Sequence, residues 1–284
     1  MKPRGIARRV AATEVSEGAG VTLRRSIGLP ALRHLDPFLM LDHFSSDDPD
    51  DYIAGFPDHP HRGFVTLTYM LDGHMEHRDS MGNHGDLRSG GAQWMQAGSG
   101  VIHSEMPRQS DGLMRGFQLW INLPASAKMS DPAYQEFSAA DIPLVDLPGQ
   151  QVRVLSGTCG GARGPVHDPH TGVRYLDVTL DARESFRDQT DASDAGFVYL
   201  FEGDGRIGEQ PMAPHHLAVL SPGDVVEVNA GAHGARFLLV TARPLGEPIV
   251  QHGPFVMNSR EEIEQALADY RDGRLVRTGA RVNG

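Results

Sequence analysis

Residues 58–64 read DHPHRGF, and residues 100–105 read GVIHSE. Each stretch carries two ligand-type side chains two positions apart: His59 with His61, and His103 with Glu105. On an extended chain, side chains at i and i+2 share a face, so each pair can reach one ion. Pro60 lacks an N–H, which places the first pair at a strand start or a sheet edge. His103 follows His61 by 42 residues, a separation that fits two strands facing each other across a small barrel. Three neutral imidazoles and a carboxylate, with open positions left, suit a borderline transition metal such as the iron of non-haem Fe(II) sites that use oxygen. Zinc, copper, nickel and manganese accept the same donors. An HxH pair alone is a weak signal, and the glycine-flanked HxE strengthens it. A competing set, His74, His77 and His84, fits one ion poorly, because His74 and His77 face opposite sides of a strand. These three are expected to be exposed or to support the site from behind.

Outward from this segment, the chain is built of short apolar runs punctuated by 33 Gly and 19 Pro. That pattern predicts an all-β sandwich or barrel. Strands are expected over 64–71, 93–96, 117–123, 175–180, 197–201, 217–220, 225–228 and 237–241. One helix is expected at the end: Ser259 and Glu262 have capping-box spacing, Ile263, Ala266, Leu267 and Tyr270 form a stripe, and Gly273 can end it. TYMLDG at 68–73 and VYLFEG at 198–203, each followed by similarly spaced turns, suggest two related β units. The polar stretch 139–148 marks the boundary. This gives a metal-binding domain over 1–138 and a second domain over 139–284 that includes helix 260–271.

Composition narrows the function classes. The 284 residues carry a net charge of −11, which makes a nucleic-acid backbone an unexpected direct partner. The single cysteine, Cys159, excludes an intrachain disulfide or a multi-cysteine metal site, and is expected to be a small buried or loop side chain. No apolar run approaches the roughly 20 residues of a membrane span, so a cytoplasmic protein without membrane contact is the expectation.

The stretch from His59 through HPHRGFVTLTYMLDGHMEHRDSMGNHGDL and QWMQAGSGVIHSEMP resembles the pirin family of the cupin superfamily. So do LDPFLMLDHF at 35–44, RGFQLWINLP at 115–124, KMSDPAYQ at 128–135 and GPFVMNSREEIEQA at 253–266. The resemblance implies a bicupin: two antiparallel jelly-roll β-barrels packed face to face, the N-terminal one holding the metal. It implies His59, His61, His103 and Glu105 as ligands and Fe(II) as the usual ion. It also implies either quercetin 2,3-dioxygenase activity on a flavonoid or a regulatory role through protein partners. In the enzyme, Glu105 would serve as ligand and base, and Phe56, Met95, Phe117 and Trp120 would exclude water. The repeat places Gln189, Asp191, Arg236 and Leu238 where the second barrel would carry ligands. His215, His216, His167 and His170 are then expected in loops. One departure stands out. Most pirins read RGFE where this chain reads RGFV, and simple alternation from His59 and His61 sends Val65 toward the metal. An acidic group would then be missing there, which favours the regulatory role. Arg62 and Arg108 are expected to be solvated charges or partner contacts.

Overall fold

In the computed structural model, which describes residues 1–277, the short apolar runs form antiparallel strands. The first twelve are β1 (Ile6–Ala11), β2 (Thr13–Glu17), β3 (Val21–Ile27), β4 (Phe38–Ser46), β5 (Phe56–His61), β6 (Phe64–Asp72), β7 (His74–Asp79), β8 (His84–Arg88), β9 (Ala92–Gln96), β10 (Val101–Pro107), β11 (Met114–Asn122) and β12 (Ala133–Phe137). All eight expected strands are present. Two of them, 225–228 and 237–241, belong to one long strand, Val225–Ala242.

Internal contacts divide the chain into two units, each discontinuous in sequence. One comprises residues 14–25, 38–139 and the described part of 245–284; the other comprises 1–13, 26–37 and 140–244. The expected division near residue 139 thus becomes an exchange of segments. β1 enters the sheet of the later half because it pairs with His216–Leu220. The helix α1 (Arg260–Arg271) groups with the earlier half, burying Ile263 and Ala266 against Phe255 and Met257, with Ile102 packed alongside. Its capping box forms as the sequence implies: the Ser259 hydroxyl accepts from Glu262 N, and the Glu262 carboxylate accepts from Ser259 N. Residues 278–284 of the expected second domain lie outside the described residues.

The unit holding the HxH and HxE segments is a double-sheet jelly roll, the cupin form. One sheet runs β12-β9-β6-β11-β4-β3-β2 and the other β5-β10-β7-β8. Leu23, Phe44, Met70, Met75, Leu87 and Met114 form an apolar cluster within it, each side chain contributing about 1.5–3 kcal/mol by leaving water. A polar row crosses the large sheet. Asp42, Gln118, Thr68 and Gln93 are register neighbours on β4, β11, β6 and β9. The other unit is a second antiparallel sheet, with Val225–Ala242 between Ala195–Ile207 and Arg174–Leu180. Its core is aliphatic and aromatic, including Val152, Leu176, Val198, Phe237 and Leu239.

Candidate metal centre

β5 and β10 are hydrogen-bonded neighbours in the small sheet, so the two ligand pairs do not face each other across a barrel as expected. The register sets His103 directly opposite His59, and a bulge between His103 and Glu105 brings Glu105 opposite Phe56. Adjacent strands lie about 4.8 Å apart, close enough for three imidazoles to converge. Ligand atoms of His59, His61 and His103 all fall within 4.8 Å of one another, the only such group of His, Cys, Asp or Glu among the described residues. The Glu105 carboxylate lies outside that group.

Protons can be assigned from the partners. A carbonyl only accepts, so His59 Nδ1, 2.8 Å from Pro57 O, carries the hydrogen and leaves Nε2 as a lone pair. That Nε2 lies 3.1 Å from His61 Nε2. Burial, reinforced by the neighbouring histidines, pushes His61 and His103 well below the ordinary imidazole pKa and keeps both neutral. Neutral imidazole is the form a metal takes. His103 Nε2 is buried without a hydrogen-bond partner, a costly state that an ion relieves where a lone pair faces it. This donor set therefore fits a transition-metal ion.

Glu105 is buried and held by two residues that the motif search does not reveal. The Gln118 amide donates to Glu105 Oε2 at 3.2 Å, and the Thr68 hydroxyl lies 3.3 Å from Oε1 while also contacting the Gln118 carbonyl. Their signal was present: each is a polar residue inside an apolar run, FVTLTYML and FQLWINL. Beside them opens a cavity of about 560 Å³, lined by His59, His61, Glu105, Thr68, Gln118 and Trp120 among others. Arg25 and Asp42 form a bidentate pair in its wall, both bonds 2.7 Å, and Arg25 also reaches Glu17. Of the four apolar residues expected to shield the site, Phe56 and Trp120 line the cavity. Phe117 does not: it lies one residue from Gln118, on the other face of β11, stacked on His43. Met95 packs with Ala97 and Val101 instead.

Val65 does not point at the histidines. Alternation breaks at Gly63, which separates β5 from β6 with φ of +87°. After that turn Phe64, Thr66 and Thr68 share the site-facing side: Phe64 meets the His61 ring and Thr68 meets Glu105. Val65, paired with Ile121, takes the opposite face and is 1 % exposed. Only glycine serves at 63, since an added Cβ would lie 2.0 Å from Val256 O. The turn is clamped further. Lys128 Nζ donates to Gly63 O, Asn122 Oδ1 and Val256 O at 2.8, 2.6 and 3.0 Å. Arg62, expected in solvent, is fully buried and donates to Ser99 O and Asp269. It is held there because the 255–257 strand and α1 cover it. Arg108 is half-exposed and pairs with Glu76.

His77 is buried next to His103, whereas His74 and His84 lie nearer the surface, paired with Asp86 and Glu76. In the other unit, Arg236 pairs with Asp177 at 2.7 Å, Leu238 is core, Asp191 caps a turn at Ser193, and Gln189 is exposed at a strand end. His216 opens a strand, so it departs from the loop placement expected of it.

A double-sheet jelly roll with this histidine cluster beside a cavity defines a protein of the cupin class. The sequence model of the Pirin family matches residues 20–121, and that of the Pirin C-terminal cupin domain matches residues 175–276. The chain belongs to the pirin family. A Pseudomonas aeruginosa protein named "Putative quercetin 2,3-dioxygenase" is 49% identical over 268 residues, covering 92% of this chain and 94% of its own. Human Pirin is 44% identical, covering 93% and 91%. Among solved structures, the quercetin 2,3-dioxygenase of Acinetobacter baumannii superposes with a TM-score of 0.89 at 30% identity, over 96% of this chain and 98% of that one.

Proposed function

We propose that this chain is a metal-dependent dioxygenase of the quercetin 2,3-dioxygenase type, acting on a flavonol-like substrate. In this reading His59, His61, His103 and Glu105 hold one transition-metal ion, Fe(II) in the first instance. The observation that carries it is the 560 Å³ cavity reaching the histidine cluster. Its size falls in the range of about 300–1,000 Å³ typical of small-molecule sites, whereas a purely structural metal site is closed.

The lining supports this substrate class. Apolar side chains such as Leu23, Met40, Phe44, Phe56 and Trp120 offer flat, dry walls to an aromatic ring. The charged residues are Glu17, Asp42, Asp58 and Glu105 against Arg25 alone, so the protein offers a substrate carboxylate no surplus of positive charge, and a neutral polyphenol needs none. An ion held by these ligands supplies Lewis acidity that lowers the pKa of a substrate hydroxyl. Glu105, fixed by Gln118 and Thr68, is placed to accept that hydroxyl's proton. The apolar walls exclude water from the deprotonated ring, and dioxygen is the oxidant, with both of its atoms ending in the products. Val65, on the far side of β6, leaves this proton acceptor intact, so the regulatory alternative loses the support that a missing acid would give it.

The test is oxygen uptake with quercetin, on protein reconstituted with Fe(II), wild type beside His61→Ala. Turnover in the wild type and its loss in the variant are expected. Absence of turnover with one equivalent of metal bound, for iron and for nickel, copper and manganese in turn, would refute the enzymatic reading and leave a regulatory metal protein.

A further inference from the structure

The three clustered histidines are supported from behind in different ways. His59 Nδ1 is tied to a backbone carbonyl. His61 likewise meets a backbone carbonyl, that of Pro254. His103 alone leads into a chain that ends on a charge. Its Nδ1 lies 3.4 Å from His77 Nδ1, and His77 Nε2 lies 3.2 Å from Asp79 Oδ2. Both members are about 1 % exposed at their side chains. Strand geometry builds the chain: β7 lies beside β10, His103 is the register neighbour of Asp79, and His77 and Asp79 share a face as i and i+2.

The Asp79 end of this chain sets the order of its hydrogens. Asp79 Oδ1 accepts from Met81 N and Asn83 N at 2.9 and 3.0 Å, and Oδ2 accepts from Asn83 Nδ2 at 2.8 Å. A carboxylate only accepts, so His77 Nε2 must carry the proton it points at Asp79. With one proton on the ring, His77 then has its lone pair on Nδ1. That lone pair faces His103 Nδ1, which must therefore be the protonated nitrogen of His103. The remaining lone pair of His103 sits on Nε2, the buried atom without a partner. The His77 ring cannot readily turn out of this line, since it lies against Tyr134 with centroids 4.8 Å apart.

We propose that Asp79 and His77 are positioning residues that fix His103 as the Nδ1–H tautomer and so present Nε2 to the ion. The proposal rests on the metal reading above and adds to it the device that prepares one ligand before metal arrives. A metal-bound histidine commonly donates its other N–H to an acceptor that fixes ring and tautomer, and losing that acceptor typically costs 10–100-fold in affinity. Here the acceptor is itself a histidine, and its own tautomer is dictated one step further back.

Asp79→Asn tests the chain. The amide oxygen stays with the two backbone N–H groups, which leaves its NH2 facing His77 Nε2. His77 Nε2 then becomes an acceptor, His77 Nδ1 a donor, and the proton of His103 is driven to Nε2. Histidine 15N spectra of the apo-protein read this without metal. His103 is expected as Nδ1–H in the wild type and as Nε2–H in Asp79→Asn. Zn(II) affinity, measured against a competing chelator, is expected to fall 10–100-fold. His77→Phe, which keeps a ring against Tyr134 but removes the acceptor, provides a second arm with a similar loss of affinity and a mixed His103 tautomer. Asp86→Asn, an exposed carboxylate bonded to His74 on the neighbouring strand, is expected to leave both readouts unchanged. An unaltered His103 tautomer in Asp79→Asn, or Zn(II) affinity within twofold of wild type in both variants, would overturn the proposal. If the wild type binds no Zn(II) at all, the metal reading fails, and the apo spectra alone still decide whether Asp79 sets the tautomer.

Discussion

Replacing Gly63 with alanine tests the turn on which the site geometry depends. Gly63 sits at φ +87°, where an L-residue with a Cβ costs about 1–2 kcal/mol. The added Cβ would also lie 2.0 Å from Val256 O and 3.0 Å from Met257 Sδ. The methionine can move, but the carbonyl is backbone. It is fixed by Lys128 Nζ at 3.0 Å, and its strand is tied to β5 by Val256 N donating to Arg62 O at 3.0 Å. Relieving the overlap breaks at least two such bonds, each worth about 1 kcal/mol. The sum is roughly 3–4 kcal/mol. At about 2–4 °C per kcal/mol for a domain of this size, the unfolding midpoint should fall by roughly 6–16 °C. Because His61 lies two residues away, Zn(II) affinity should drop as well. Thermal unfolding of the apo-protein, followed by circular dichroism, gives the first number, and a chelator competition gives the second. A midpoint within about 1 °C of wild type would show that the turn does not hold β5 as described.

Two further predictions concern single residues. Val65→Glu should leave Zn(II) affinity within twofold, because the side chain lies on the far face of β6, yet should lower thermal stability by burying an unpaired carboxylate; a clear rise in affinity would mean that residue 65 faces the metal after all. Cys159 is 9 % exposed, and burial beside Asp188 pushes its thiol up to about 11. Its thiolate is therefore scarce at pH 8, and alkylation by iodoacetamide should run about 100-fold slower than in the unfolded chain and accelerate as pH approaches 11. Rapid labelling of the native protein at pH 8 would contradict this.

The sequence shows some of this architecture and conceals the rest, for identifiable reasons. The eight apolar strands were readable because their cores are runs of Val, Leu, Phe and Tyr. β7 and β8, reading HMEHRD and HGDLR, carry mostly polar or charged residues and gave no strand signal, although β7 supplies His77 and Asp79. Whereas His103 joins them through the pairing of β10 with β5, the i, i+2 spacing put His59 and His61 on one face, because it depends only on local extension. It misplaced Val65, because one positive φ at Gly63 reverses the parity of every later residue on β6. Pairing partners were not readable either. Nothing local to DHPHRGF says that β10 will lie beside it, or that residues 254–256 will pair with Arg62. Segment exchange between the units has the same origin: β1 and α1 go where distant strands offer them an edge or an apolar face. Among the described residues, no helix is long and apolar enough to cross a membrane.

The clamp on Gly63 also orders events in time. Arg62 N donates to Pro254 O, Arg62 O accepts from Val256 N, and Lys128 bridges Gly63 to Val256. During synthesis, Glu105 is made 151 residues before Val256. At about 5–20 residues per second that interval is roughly 8–30 s. For most of that time His59, His61, His103 and Glu105 exist on a nascent chain in which the end of β5 can reach its partners at Gly98, Ser99 and Lys128 but lacks those at residues 254–256. The metal-binding geometry is completed only once residues 254–256 have been made, so the ligand segments wait for a strand that lies far from them in the sequence.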